Sequence, residues 1–147
     1  MATLISRSPE ETLAIGEQWG RQAQAGWVIG LRGELGAGKT QLVKGIARGV
    51  GSPARVHSPT FALLNEYGDG RLRVFHIDLY RLNHREEVMS AGLEEYLIRP
   101  DGVTVVEWIE RWMSAKEGFP AYQFIRLVRI ETLSETEQRI TYEDSGT

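Results

Sequence analysis

The sequence predicts an α/β fold in which a mixed parallel and antiparallel sheet is sandwiched between helices. Three observations predict it. Residues 33–40 read GELGAGKT, a glycine loop set between an apolar β-branched run and a helix-periodic stretch. Residues 61–67 and 72–77 are two strand-like runs joined across Gly68-Asp69-Gly70, a hairpin signal. Val103-Thr104-Val105-Val106 is a further β-branched run and ends in a carboxylate, Glu107. Parallel strands around the loop combined with an antiparallel hairpin give a mixed sheet in three layers.

Taken in order, residues 3–6 read as an edge strand. Pro9 suits the first turn of a helix expected to reach about Ala25, with Glu10 and Glu11 favourable at its positive end. Trp27-Val28-Ile29-Gly30-Leu31 reads as a buried strand. Beyond the loop, Leu42, Val43, Ile46, Ala47 and Val50 recur at helical spacing, and Gly49 and Gly51 mark the end. After the hairpin, Asn83 is expected to cap a short helix through Ala91 that Gly92 closes, with another turn over 93–97. A helical turn over 109–113 and a pair of strands, 123–130 and 138–142, complete the pattern. The C-terminal strands (122–143) are expected to be peripheral and the tail (144–147) frayed.

At 147 residues, with 41% hydrophobic and 25% charged residues, the chain reads as one domain, 1–147. No apolar run is long enough for a membrane span. The segment MATLISRSPEE lacks signal-peptide character and there is no cysteine, so a cytoplasmic protein is expected. A net charge of −3 gives no broad basic field, so stable autonomous nucleic-acid binding is not expected.

GELGAGKT fits the phosphate-binding pattern Gly-x-x-x-x-Gly-Lys-Ser/Thr, and its strand–loop–helix context makes the predicted fold P-loop NTPase-like. The nucleotide-binding set is Gly33, Glu34, Leu35, Gly36, Ala37, Gly38, Lys39, Thr40 and Gln41. The glycines let backbone N–H groups close around phosphates, and Lys39 supplies a point charge to the β/γ oxygens. The Thr40 hydroxyl is placed to ligate Mg²⁺. Such a metal takes an acidic partner, and two carboxylates end apolar strands: Glu107, in the layout expected of the metal residue, and Asp78 after Val74-Phe75-His76-Ile77. Capping or a surface ion pair is the alternative for each. Pro59 keeps Ser58 out of the helical region, which exposes the Ser58 and Thr60 hydroxyls for contact with a γ-phosphate or its metal, a surface turn with local hydroxyl bonds being the alternative. His76 reads only as a strand residue, and Trp108 draws notice because it follows Glu107.

The set GELGAGKT, HSPTF, HIDLYRL, GLEEYL and VVEW, in this order, resembles the bacterial TsaE (YjeE) family from about Ile5 to Trp108. Past Trp108 the resemblance weakens: many members continue with a proline and a short loop, where this chain has Ile109-Glu110-Arg111-Trp112. The resemblance implies a small ATPase serving threonylcarbamoyladenosine formation at position 37 of tRNA, with ATP and Mg²⁺ bound and TsaD and TsaB as partners. It puts the loop lysine and threonine on Lys39 and Thr40, the metal carboxylate on Glu107, the essential aspartate on Asp78 and the switch threonine on Thr60. It also implies that the segment around 7–9 helps enclose the nucleotide. The expected chemistry is in-line attack of water on the γ-phosphate, with Asp78 or Thr60 positioning the water and Arg81 a further charge near Asp78. A nucleotide-dependent binding module and a small-molecule kinase are the alternatives.

Overall fold

The computed structural model describes residues 1–32, 37–56, 63–113 and 123–146. Strand β1 (Ala2–Ser6) leads to helix α1 (Pro9–Gln22), where the Ser8 hydroxyl accepts the Glu11 N–H at 3.1 Å and caps the helix. The helix stops short of Ala25 because Ala23 turns extended, at φ −60° and ψ 143°, while its N–H still reaches the Trp19 carbonyl. Strand β2 (Val28–Arg32) and helix α2 (Ala37–Gly49) flank the glycine loop. Strands β3 (Leu64–Tyr67) and β4 (Val74–Asp78) form the expected antiparallel hairpin. Helices α3 (Arg85–Ser90) and α4 (Glu94–Leu97) precede β5 (Val103–Glu107) and a 3₁₀ turn, Ile109–Arg111. Asn83 does not cap α3. The cap position falls on His84, and the Asn83 N–H donates to the Glu87 carboxylate at 3.2 Å.

Seven strands run in the order β1-β7-β6-β2-β5-β4-β3, where β6 is Ile125–Thr132 and β7 is Gln138–Ser145. Strand β2 is parallel to both β5 and β6, and β4 is parallel to β5. The expectation of peripheral C-terminal strands is therefore corrected. β6 lies directly beside β2, buried through Ile125 on one face and Val128 on the other. Nor is the tail frayed at Asp144 and Ser145, which belong to β7. The Arg126 guanidinium holds Asp144 through Nε–Oδ1 at 2.6 Å and Nη2–Oδ2 at 2.8 Å, a bidentate pair set among the rings of Trp19, Trp27 and Tyr142.

Alternation sorts the strands onto two faces. Ile29, Leu31, Val74, Val103, Val105 and Val128 pack under α1 and α2, while Val28, Ile77, Val106 and Ile125 pack with α3, α4 and the 3₁₀ turn. This is the three-layer mixed sandwich that the sequence predicts.

Helices α1 and α2 touch backbone to backbone. A Cβ on Gly45 would lie 2.9 Å from the Gly16 Cα and 2.8 Å from the Glu17 nitrogen, and one on Gly20 would lie 2.8 Å from the Gly49 Cα. Alanine at Gly45 gains about 1 kcal/mol of helix propensity. Overpacking costs about 1–3 kcal/mol, and here the obstacle is rigid backbone, so the clash wins. Gly45→Ala should lower the melting temperature by several degrees, at about 2–4 °C per kcal/mol. Gly68→Ala, with no atom within 4 Å of its new methyl, should melt like the parent.

Candidate nucleotide site

Because β2, β5 and β4 are parallel, their carboxyl ends lie on one edge of the sheet, the edge where open α/β sheets bind ligands. The chain leaves β2 at Arg32 and re-enters regular structure at Ala37, the first residue of α2. Gly33, Glu34, Leu35 and Gly36 fall outside the described residues, as do Ser58 and Thr60. Gly38, Lys39, Thr40 and Gln41 occupy the first turn of α2. A Cβ on Gly38 would lie 2.7 Å from the Gln138 amide carbon on β7, so a side chain there would require the Gln138 amide to swing aside. Gln41 Nε2 donates to the Pro9 carbonyl at 3.4 Å, which ties the start of α2 to the start of α1.

Lys39 is 2% exposed. Burial holds its ammonium below the ordinary lysine pKa, while Glu107, Glu110 and Asp78 pull in the other direction. The same three carboxylates thus compensate a charge that the fold has taken out of water. Its Nζ lies 5.4 Å from the centre of the Trp108 ring.

Asp78 and Glu107 are directly paired across β4 and β5, so both side chains leave the sheet on the α2 face. Burial raises the Asp78 carboxyl above the usual range; the Tyr80 N–H, donating to Oδ1 at 3.0 Å, lowers it, and Glu107 raises it further. Glu107 is 6% exposed, and its Oε2 lies 2.8 Å from His76 Nε2. His76 Nδ1 in turn lies 3.1 Å from the Tyr67 hydroxyl.

Trp108 takes a left-handed conformation, φ 62° and ψ 47°, which is an outlier for so large a side chain. Tyr80 packs against it with ring centres 5.5 Å apart, and the Arg111 guanidinium lies 5.2 Å from its centre. Its indole N–H is buried without a hydrogen-bond partner among the described residues. A donor desolvated in this way beside a lysine suits an anionic oxygen.

The structure thus brings together Lys39, Asp78 and Glu107, with Thr40 adjacent on α2. Arg81 stands exposed, without a hydrogen bond or ion pair among the described residues. Sequence reasoning missed His76, Tyr67 and Glu110. A polar imidazole in the otherwise apolar run before Asp78 was the available signal, since buried polar groups find partners.

A family model described as threonylcarbamoyl adenosine biosynthesis protein TsaE matches residues 6–141. The chain belongs to the TsaE family. The matched span runs past Trp108, through β6 and into β7. A relative from Nostoc sp., named tRNA threonylcarbamoyladenosine biosynthesis protein TsaE, is 44% identical over 115 residues, covering 76% of this chain and 70% of its own length. One of the same name from Bacillus subtilis is 46% identical over 101 residues, covering 69% of this chain and 62% of its own length. The crystal structure of Bacillus subtilis YdiB superposes with a TM-score of 0.70 at 32% identity, covering 99% of this chain and 86% of that one. The TsaE family serves tRNA threonylcarbamoyladenosine biosynthesis. Among the described residues no helix is long and apolar enough to cross a membrane.

Proposed function

We propose that this chain is a Mg²⁺-dependent ATPase that acts in tRNA threonylcarbamoyladenosine formation by resetting a TsaB–TsaD complex between catalytic rounds. The observation that carries this reading is the meeting of Lys39 with the paired carboxylates Asp78 and Glu107 at one edge of the sheet. The loop from Gly33 to Gln41 holds the phosphates of ATP, with Lys39 on the β/γ oxygens.

The donor set fits the metal. Among the described residues no three His, Asp or Glu side chains converge as a ready-made cage, and Mg²⁺ bound with phosphates needs only one or two protein ligands. The Thr40 hydroxyl and the Glu107 carboxylate are those ligands. When bound, Mg²⁺ neutralises charge on the phosphate oxygens. Asp78, with its raised basicity, orients the attacking water and accepts its proton, and Thr60 is the other candidate for positioning that water. The unpaired Trp108 N–H and buried Lys39 favour the charge that develops on the γ-phosphate. Chemistry of this kind depends on completed geometry, so the isolated chain turns over slowly and the partners, with tRNA reaching the site only through them, supply the rest.

Phosphate release measured with the chain alone and with TsaB and TsaD added, with and without tRNA, tests the reading. Slow release that the partners raise by at least about tenfold is expected. Release in neither condition would leave a binding module that uses ATP only to hold one shape.

A further inference from the structure

Tyr67, His76 and Glu107 form a continuous buried line across three neighbouring strands. Tyr67 on β3 is 3% exposed, and the side chains of His76 on β4 and Glu107 on β5 are 1% and 8% exposed. The two links measure 3.1 Å and 2.8 Å. Their direction follows from chemistry. A metal-binding carboxylate only accepts hydrogen bonds, so His76 Nε2 carries the proton and donates it to Glu107 Oε2. In this Nε2–H tautomer the lone pair sits on Nδ1, where the Tyr67 hydroxyl donates to it.

We propose that His76, fixed in this tautomer by Tyr67, is a positioning residue that aims the Glu107 carboxylate at the metal of the nucleotide site. The proposal rests on the reading of Glu107 as the metal carboxylate. Glu107 is the foremost of the carboxylates acting on Lys39. Holding Oε2 on His76 fixes the carboxylate plane and leaves Oε1 for the cation. His76 neighbours Val105 in the sheet, in an otherwise apolar layer, and its bonds to Glu107 and Tyr67 are what call for an imidazole there.

Two measurements test this. A long-range ¹H–¹⁵N correlation spectrum of the labelled chain should report His76 as the Nε2–H tautomer. The Nδ1–H tautomer would overturn the assignment. In the second, a fluorescent N-methylanthraniloyl ADP is titrated at a series of Mg²⁺ concentrations. His76→Leu should raise the Mg²⁺ concentration for half-maximal effect by about 10-fold or more while affinity without Mg²⁺ stays within about 2-fold. His76→Gln, whose amide keeps a donor where Nε2 stood, should recover most of that loss, and Tyr67→Phe should shift it by about 2–3-fold. Unchanged Mg²⁺ dependence in His76→Leu, or an equal loss of metal-free affinity in the leucine and glutamine variants, would refute the positioning role. Should His76→Leu not fold, Tyr67→Phe carries the test, and wild-type Mg²⁺ dependence in that variant refutes the role. Glu107→Gln separates the two levels: if it binds with parental Mg²⁺ dependence, Glu107 is not the metal residue, and the present inference falls with that reading.

Discussion

Lys39→Ala is expected to lower partner-stimulated phosphate release by about 10²–10³-fold or more, the usual consequence of removing a preorganised charge aimed at a transition state. Few lysines are as buried as this one, at 2% exposure in the first turn of α2. Such a position costs desolvation, and Glu107, Glu110 and Asp78 offset that cost. Removing the ammonium therefore does two things. It deletes the phosphate contact and leaves the carboxylates repelling one another across the β4–β5 edge. A melting curve taken alongside the assay separates loss of chemistry from loss of fold. A variant that folds and still releases phosphate at the parental rate would end the assignment of Lys39.

Asp78→Asn should also abolish turnover, by about 10²-fold or more, but with nucleotide affinity held within about 3-fold, because a water-positioning carboxylate acts in the transition state and not in ground-state binding. Loss of binding instead would move Asp78 into the metal site. The same variant should be more stable than its parent in metal-free, nucleotide-free buffer. Burial first, and Glu107 after it, raise the Asp78 carboxyl above its unfolded value. A carboxyl raised in the folded state contributes stability at low pH and loses it as pH rises through that raised value. At pH about 7.5 the asparagine chain should melt higher, and the gap should close as pH falls to about 3, below the unfolded aspartate pKa, where the parental carboxyl is largely protonated in both states. A gap that widened on acidification would contradict this account of the site.

Much of the scaffold is legible locally. The run before the glycine loop, the periodic helix after it and the β-branched stretches ending in Asp78 and Glu107 each carry their own pattern, and each forms the expected element. What escapes is pairing between distant segments. Residues 123–130 read as a strand, but nothing in them announces β2 as a neighbour, because register depends on the partner's face and not on the strand alone. His76 is opaque for the same reason. Its bond to Glu107 exists only because β4 and β5 run parallel with Asp78 opposite Glu107, which places His76 one pleat back on the same face. The glycine pairs of α1 and α2 are visible as spacings in each helix, yet their meaning appears only when the two helices are laid together.

The position of β6 bears on how the molecule is made. Chains emerge from the ribosome amino end first, and β2 emerges early, yet both of its neighbours, β5 and β6, are translated well after it. Until then Val28–Arg32 has two open edges, and β1 likewise waits for β7. A nascent chain halted before Val103 would contain the whole phosphate loop in sequence but neither of the strands that flank β2. A ligand stabilises only the state that binds it, so nucleotide adds nothing to the β2 segment until the strands beside it are in place.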